Sequence, residues 1–205
     1  MRVLDKICRK YLRRRGYVVS RQPSRAGQGD YYLHDYRDGT DRFDYERYRS
    51  IQIDGNKRKL QIVYTDRETI GLICDFIRTK PGKLERGLCH GSRNGTEIRW
   101  FREILGIDVL GTDISDTASQ FPHMVQWDFH EVNPEWAGKF DFVYTNSHDH
   151  AYDPKKALDA WVGQLAPHGM LILEHTADHA PDRTSELDPF GVSANLLPYV
   201  VLRLA

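Results

Sequence analysis

From residue 85 to residue 176 the chain alternates five short apolar runs with amphipathic or loop-like segments, and this alternation limits the fold more than any other feature. The runs cover residues 86–90, 109–112, 124–127, 140–145 and 170–174. Apolar strands separated by helix-length segments cannot pair as hairpins, so the pattern predicts a parallel sheet with helices on both faces. The expected class is α/β, Rossmann-like. Ligands in such sheets bind at the carboxyl ends of the strands, so the residues that follow each run are the ones to inspect.

The region before the sheet reads differently. Residues 2–15 place Val3, Leu4, Ile7, Cys8, Tyr11 and Leu12 on one helical face with basic residues elsewhere, a helix suited to docking on its own domain, on a partner or oligomer, or on an anionic surface. Residues 20–48 are rich in Gly, Asp, Arg and Tyr without period and read as an irregular arm. The stretch from Thr65 to Glu68 has the form of a capping box ahead of Ile70, Ile73, Cys74 and Ile77, which predicts a helix of about three turns. The expected division is therefore a basic N-terminal extension over 1–64 and a core over 65–205. Charge follows it: residues 1–84 hold 20 Lys/Arg against 11 Asp/Glu, and the rest hold 9 against 18. Three scattered cysteines offer neither a disulfide framework nor a CxxC zinc motif. With no apolar stretch long enough for a membrane span and no secretory leader, the expected location is the cytoplasm.

Three strand ends offer ligand chemistry. After the first run comes His90-Gly91-Ser92-Arg93-Asn94-Gly95, where glycines let backbone approach a ligand and the following helix offers free N–H groups. The second run ends in Asp113-Ile114, a carboxylate placed for ribose hydroxyls. The third ends in Asp128-Phe129, an acid and a ring suited to an adenine amino group and its flat face. Taken singly, each also fits a turn or a helix cap.

In series with FDFVYTNSHDHAYDP and LAPHGMLILEH these pieces resemble the motifs of class I S-adenosylmethionine-dependent methyltransferases (type 11-like) over residues 84–176. The resemblance implies S-adenosylmethionine as cofactor, S-adenosylhomocysteine as product, and cofactor contacts from His90, Gly91, Arg93, Gly95, Asp113, Ile114, Asp128, Phe129, Asn146 and Ser147. The chain departs from the family in three ways. Cys89 stands where an acid usually ends the first strand, Arg93 replaces a loop glycine, and only about thirty residues follow the fifth strand. The sheet is therefore expected to be shortened at its C-terminal strands, with Tyr199–Leu204 as one further strand.

A hydroxyl acceptor needs a base, because its pKa lies far above neutrality. His148, Asp149 and His150 sit where the family's acceptor approaches, and His175 follows the fifth strand at the same end of the sheet. These four are the expected catalytic groups. A divalent metal held by His148, His150, His175 and His179 is the less favoured reading. Asn56, Lys57 and Lys59, beside an expected turn, are candidates for substrate binding. A small-molecule or glycan acceptor, methylated on a sugar hydroxyl, is the first reading of function. An RNA acceptor is disfavoured by the acidic core and the lack of a nucleic-acid motif, and a non-catalytic docking module is the alternative of another class.

Overall fold

The structure is a computed structural model and describes residues 31–204. The helix expected at 2–15, the first part of the arm and Cys8 lie outside the described residues. The elements run β1 (Tyr31–Leu33), α1 (Tyr45–Arg58), α2 (Arg67–Ile77), β2 (Arg86–His90), α3 (Thr96–Leu105), β3 (Asp108–Asp113), β4 (Met124–Gln126), β5 (Phe140–Thr145), α4 (Pro154–Gly163), β6 (Leu165–Leu173), β7 (Phe190–Val192) and α5 (Leu197–Leu204). Single 3-10 turns occupy Asp116–Gln120, His148–His150 and Ala177–His179.

Strands β2 to β6 form one parallel sheet in the order β4-β3-β2-β5-β6. Alternate residues of its central strands enter two cores. Cys89, Phe142 and Tyr144 pack with Ile70, Cys74 and Ile77 of α2 and Ile98 and Phe101 of α3 on one face. Leu88 and Val143 pack with Leu158 and Trp161 of α4 on the other. Asp66, not Thr65, caps α2 by accepting from the Thr69 N–H. Helix α3 lies directly on β3: a Cβ at Gly111 would sit 1.8 Å from Ile98 Cδ1. Burial raises the thiols of Cys74 and Cys89, so both are inert core residues.

Three expectations are corrected. Residues 199–204 belong to helix α5, whose Leu197 and Val200 close a third small core with Phe190 and Val192, so they add no strand to the sheet. The last strand starts ahead of the run expected at 170–174: β6 begins at Leu165, which pairs with Phe140 while Met170 pairs with Phe142, and the extra residues loop out through His168 at φ 64°. The arm is partly ordered, since β1 pairs antiparallel with β7 and residues 45–58 form a helix. That helix hides from apolar periodicity because its buried face is mostly polar, formed by Tyr48, Gln52, Gly55 and Asn56. Among the described residues no helix is long and apolar enough to cross a membrane.

Candidate functional site

Two connected cavities open at the carboxyl ends of the sheet strands. The first, about 50 Å³, lies between α1 and the ends of β2, β3 and β4, with Asn56, Asp113, Ile114, Asp128 and Phe129 on its walls. The second, about 410 Å³, lies beyond it and is bordered by Glu97, Asn146, Asp149 and the loop after β6. Lys59, Gly91, Arg93, Ser147 and His150 border both, so they mark the junction.

The glycine loop makes the junction possible. Gly91 has φ 71°, and a Cβ there would meet Ser147 Cβ at 2.5 Å, so the loop and the end of β5 close together only with glycine. Asp113 is buried at the loop's base, where Oδ2 accepts from the Arg93 N–H at 3.0 Å and Oδ1 from the Ser115 N–H at 2.9 Å. Burial raises its pKa, and each oxygen keeps a further lone pair for a ligand hydroxyl. Gly95 caps α3 with φ 69° and borders neither cavity.

Helix α1 roofs the first cavity. The Tyr45 hydroxyl donates to Asp128 Oδ2 at 2.8 Å, while the His130 backbone N–H donates to Oδ1 and the ring Nδ1 lies 2.7 Å from it. Burial alone would raise Asp128, but the bonds from His130 and Tyr45 outweigh it and hold the carboxyl below its usual range. The Tyr48 hydroxyl donates to the His150 carbonyl, and Gln52 Nε2 donates to the Leu187 carbonyl at 2.8 Å. Tyr45 and Tyr48 belong to the tyrosines of the arm, which the sequence offers as aromatic surface for a sugar or a base, whereas Gln52 and His130 carry no such mark. The further signal of the helix is the spacing of 45, 48, 52, 55 and 56, helical in period but polar in type.

Several expected site residues lie elsewhere. His90 turns into the core: Nδ1 is 2.8 Å from Thr112 Oγ1, Nε2 is 2.8 Å from Gln164 Oε1, and the ring stacks on Trp161. It borders neither cavity. Residues 56–59 end helix α1 rather than forming an extended turn, so their side chains fan out. Asn56 faces the first cavity and accepts from Thr117 Oγ1. Lys59 lies at the junction, whereas Lys57 points away to pair with Asp116 at 2.9 Å. Arg93 takes φ 43° and sends Nη1 to the Ile62 carbonyl, with the guanidinium over the Tyr64 ring. Part of its charge therefore ties the segment before α2 to the loop.

The histidines divide into two groups. His148, His175 and His179 cluster at the second cavity, which His179 borders, with His148 Nε2 3.0 Å from His175 Nδ1. His179 Nδ1 already accepts the Thr176 N–H. Burial, then the neighbouring imidazoles, holds His148 well below the usual histidine range. His150 stands apart with Asp149 and Asp188, its Nε2 at 3.9 Å and 3.7 Å from their Oδ1 atoms. The four histidines therefore do not converge on one point. Because Gln52 Oε1 lies 2.7 Å from His150 Nδ1 and Gln52 Nε2 is spent on Leu187, Nδ1 must carry the hydrogen. In the neutral ring Nε2 then carries the lone pair, and the residue borders both cavities.

No family model and no curated protein matches the chain. Solved structures do. The 1,6-didemethyltoxoflavin-N1-methyltransferase of Burkholderia thailandensis, with bound 1,6-didemethyltoxoflavin and S-adenosylhomocysteine, matches over 78% of this chain and 79% of its own, at 15% identity and a TM-score of 0.58. A SAM-dependent methyltransferase from Archaeoglobus fulgidus matches over 79% of this chain and 74% of its own, at 14% identity and 0.52. The plantazolicin methyltransferase BpumL, in complex with SAH, matches over 69% and 64%, at 16% identity and 0.51. Several other solved structures are matched over less than two thirds of their own length. The chain has the fold of these methyltransferases.

Proposed function

We propose that a chain with this fold and this pair of cavities is an S-adenosylmethionine-dependent methyltransferase acting on an acceptor hydroxyl, of a sugar or glycan before other small molecules. Residues at the first cavity fit the adenosine part. Asp113 offers free lone pairs for a ribose diol, and Asp128 with Phe129 offers an acceptor and a ring edge for adenine. When bound, S-adenosylmethionine supplies an electrophilic methyl group on a sulfonium. The protein then has to hold a nucleophile in line and accept its proton.

The observation that carries the hydroxyl reading is the His150 tautomer. Gln52 holds Nδ1–H, so Nε2 is free to take an acceptor proton at the junction. Asp149 and Asp188 stand within 4 Å of Nε2 and stabilise the imidazolium that results. An amine acceptor would ask less of such an arrangement. The lining of the second cavity supports a polyhydroxylated acceptor: Asn146, Asp149, Thr176, Asp178, Arg183 and Asp188 offer donors and acceptors, and Ile62, Val63 and Tyr64 add an apolar surface of the kind a sugar ring stacks on. The toxoflavin enzyme methylates a ring nitrogen by its name, so the choice of oxygen rests on His150 and not on that likeness.

The test is a calorimetric titration with S-adenosylmethionine and S-adenosylhomocysteine, with NAD as control, followed by methyl transfer to a panel of sugars by wild type and His150→Gln. Micromolar binding of both sulfur ligands is expected, with turnover about 10²- to 10⁴-fold lower in the variant at unchanged cofactor affinity. Absence of binding at millimolar ligand would turn the reading to a docking module. Equal rates in the variant would remove His150 as the base.

A further inference from the structure

Two histidines face the same carboxylate oxygen with their ring hydrogens on opposite sides. His150 and His179 bring Nε2 to 3.9 Å and 3.8 Å from Asp149 Oδ1, and all three residues border the second cavity. In His150 the hydrogen sits on Nδ1, held by Gln52 Oε1, so Nε2 accepts. His179 has the reverse arrangement. Its Nδ1 accepts the Thr176 N–H at 3.0 Å and closes the capping box of the turn at 177–179, so the neutral ring carries its hydrogen on Nε2. Asp149 Oδ1 is buried and, among the described residues, has no hydrogen-bond partner. Both Nε2 atoms stand too far from it for a direct hydrogen bond.

One corner of the cavity therefore offers a donor, His179 Nε2–H, and two acceptors, His150 Nε2 and Asp149 Oδ1. A buried carboxylate oxygen left unmet is costly unless a ligand satisfies it. A lone hydroxyl has one hydrogen and meets only one of the two acceptors. A vicinal diol has two, on oxygens about one hydrogen-bond length apart. We propose that the acceptor is a vicinal diol, whose reacting hydroxyl donates to His150 Nε2 while its neighbour donates to Asp149 Oδ1 and accepts from His179 Nε2–H. The inference rests on the hydroxyl reading above and adds His179 to it as a residue that sets specificity. The proton of the first hydroxyl goes to Nε2, its oxygen takes the methyl group, and the C–S electron pair stays on sulfur. The second hydroxyl is unchanged.

The experiment compares methyl transfer from S-adenosylmethionine to both isomers of cyclohexane-1,2-diol, to cyclohexane-1,3-diol and to cyclohexanol, which share a ring and differ in the second hydroxyl. In wild type, kcat/KM for a 1,2-diol should exceed that for the 1,3-diol and for cyclohexanol by about 10- to 100-fold, the range for a hydrogen bond to a charged group. Two variants separate the donor from the cap. Gln and Glu both serve at the third position of a capping box, where His179 stands, but only Gln has an N–H left to offer. His179→Gln should keep most of the preference and His179→Glu should lose it, with affinity for S-adenosylhomocysteine showing that each variant is folded. Equal rates for the 1,2- and 1,3-diols in wild type, or an undiminished preference in His179→Glu, would overturn the inference; His150 stays the base if His150→Gln still lowers transfer to every alcohol. Wild type that methylates neither these alcohols nor the sugars removes the hydroxyl reading, and this inference with it.

Discussion

His90 and His148 are nearly equal in burial, at 1% and 3% exposed, and both are held below the usual histidine range by burial. Their ring nitrogens differ. His90 has Thr112 on one side and Gln164 on the other, and it stacks on Trp161. His148 has only another imidazole at Nε2, and its Nδ1 has no partner. The first is a finished core residue at the end of β2. The second lies in a histidine cluster that reaches the second cavity through His179 and that folding alone has not completed. Burial therefore does not separate a finished core histidine from an open one; satisfaction of the ring nitrogens does.

The largest effect that could break this comparison is the same substitution at both positions. His90→Leu removes two buried hydrogen bonds, strands Thr112 and Gln164, and loses the stacked ring. It is expected to cost about 2–4 kcal/mol in urea denaturation. His148→Leu removes a ring whose outer nitrogen is already unmet, so ligand-free stability should change by less than about 1 kcal/mol, or rise. Equal losses at the two sites would mean that the unpaired nitrogen of His148 costs nothing, and the distinction would fail.

A smaller effect tests the first of them by pH. Burial lowers the His90 pKa to about 4 in the folded protein, below the ordinary histidine value of about 6.5. Between these values the unfolded chain binds a proton that the folded chain refuses. The contribution of His90 is therefore complete above pH 6.5 and is lost as pH falls toward 4, by about 3 kcal/mol at most. Urea midpoints of wild type and His90→Leu, measured from pH 7 to pH 4, should converge over that window. Parallel curves would show that His90 does not titrate as its surroundings require.

The same contrast explains what the sequence revealed. Strands β2 and β5 have the boundaries expected from the apolar runs, because a parallel sheet buried on both faces needs continuous apolar strands. The strand-end acids Asp113 and Asp128 were legible for the same reason, since each ends such a run. Helix α1 was not, because Gln52 and Asn56 are buried against polar partners and leave no apolar stripe. His90 reads as a cofactor contact in the sequence because residue type and position cannot tell a satisfied ring from an open one.

The smallest effect concerns two cations two residues apart at the end of α1. Lys57 and Lys59 looked equivalent while the segment was expected to be extended, where i and i+2 share a face. On a helix two residues are about 200° apart, so the two side chains diverge. Lys57 pairs with the exposed Asp116, whereas Lys59 reaches the junction of the cavities. An exposed pair of that kind contributes about 0.2–1 kcal/mol, so Lys57→Ala should leave KM for the acceptor within about twofold. Lys59→Ala should raise it by about fivefold at unchanged kcat, because it removes binding that ground state and transition state share. If the two variants raise KM alike, the end of α1 does not hold the helical turn that separates them, and the first cavity loses its roof in solution.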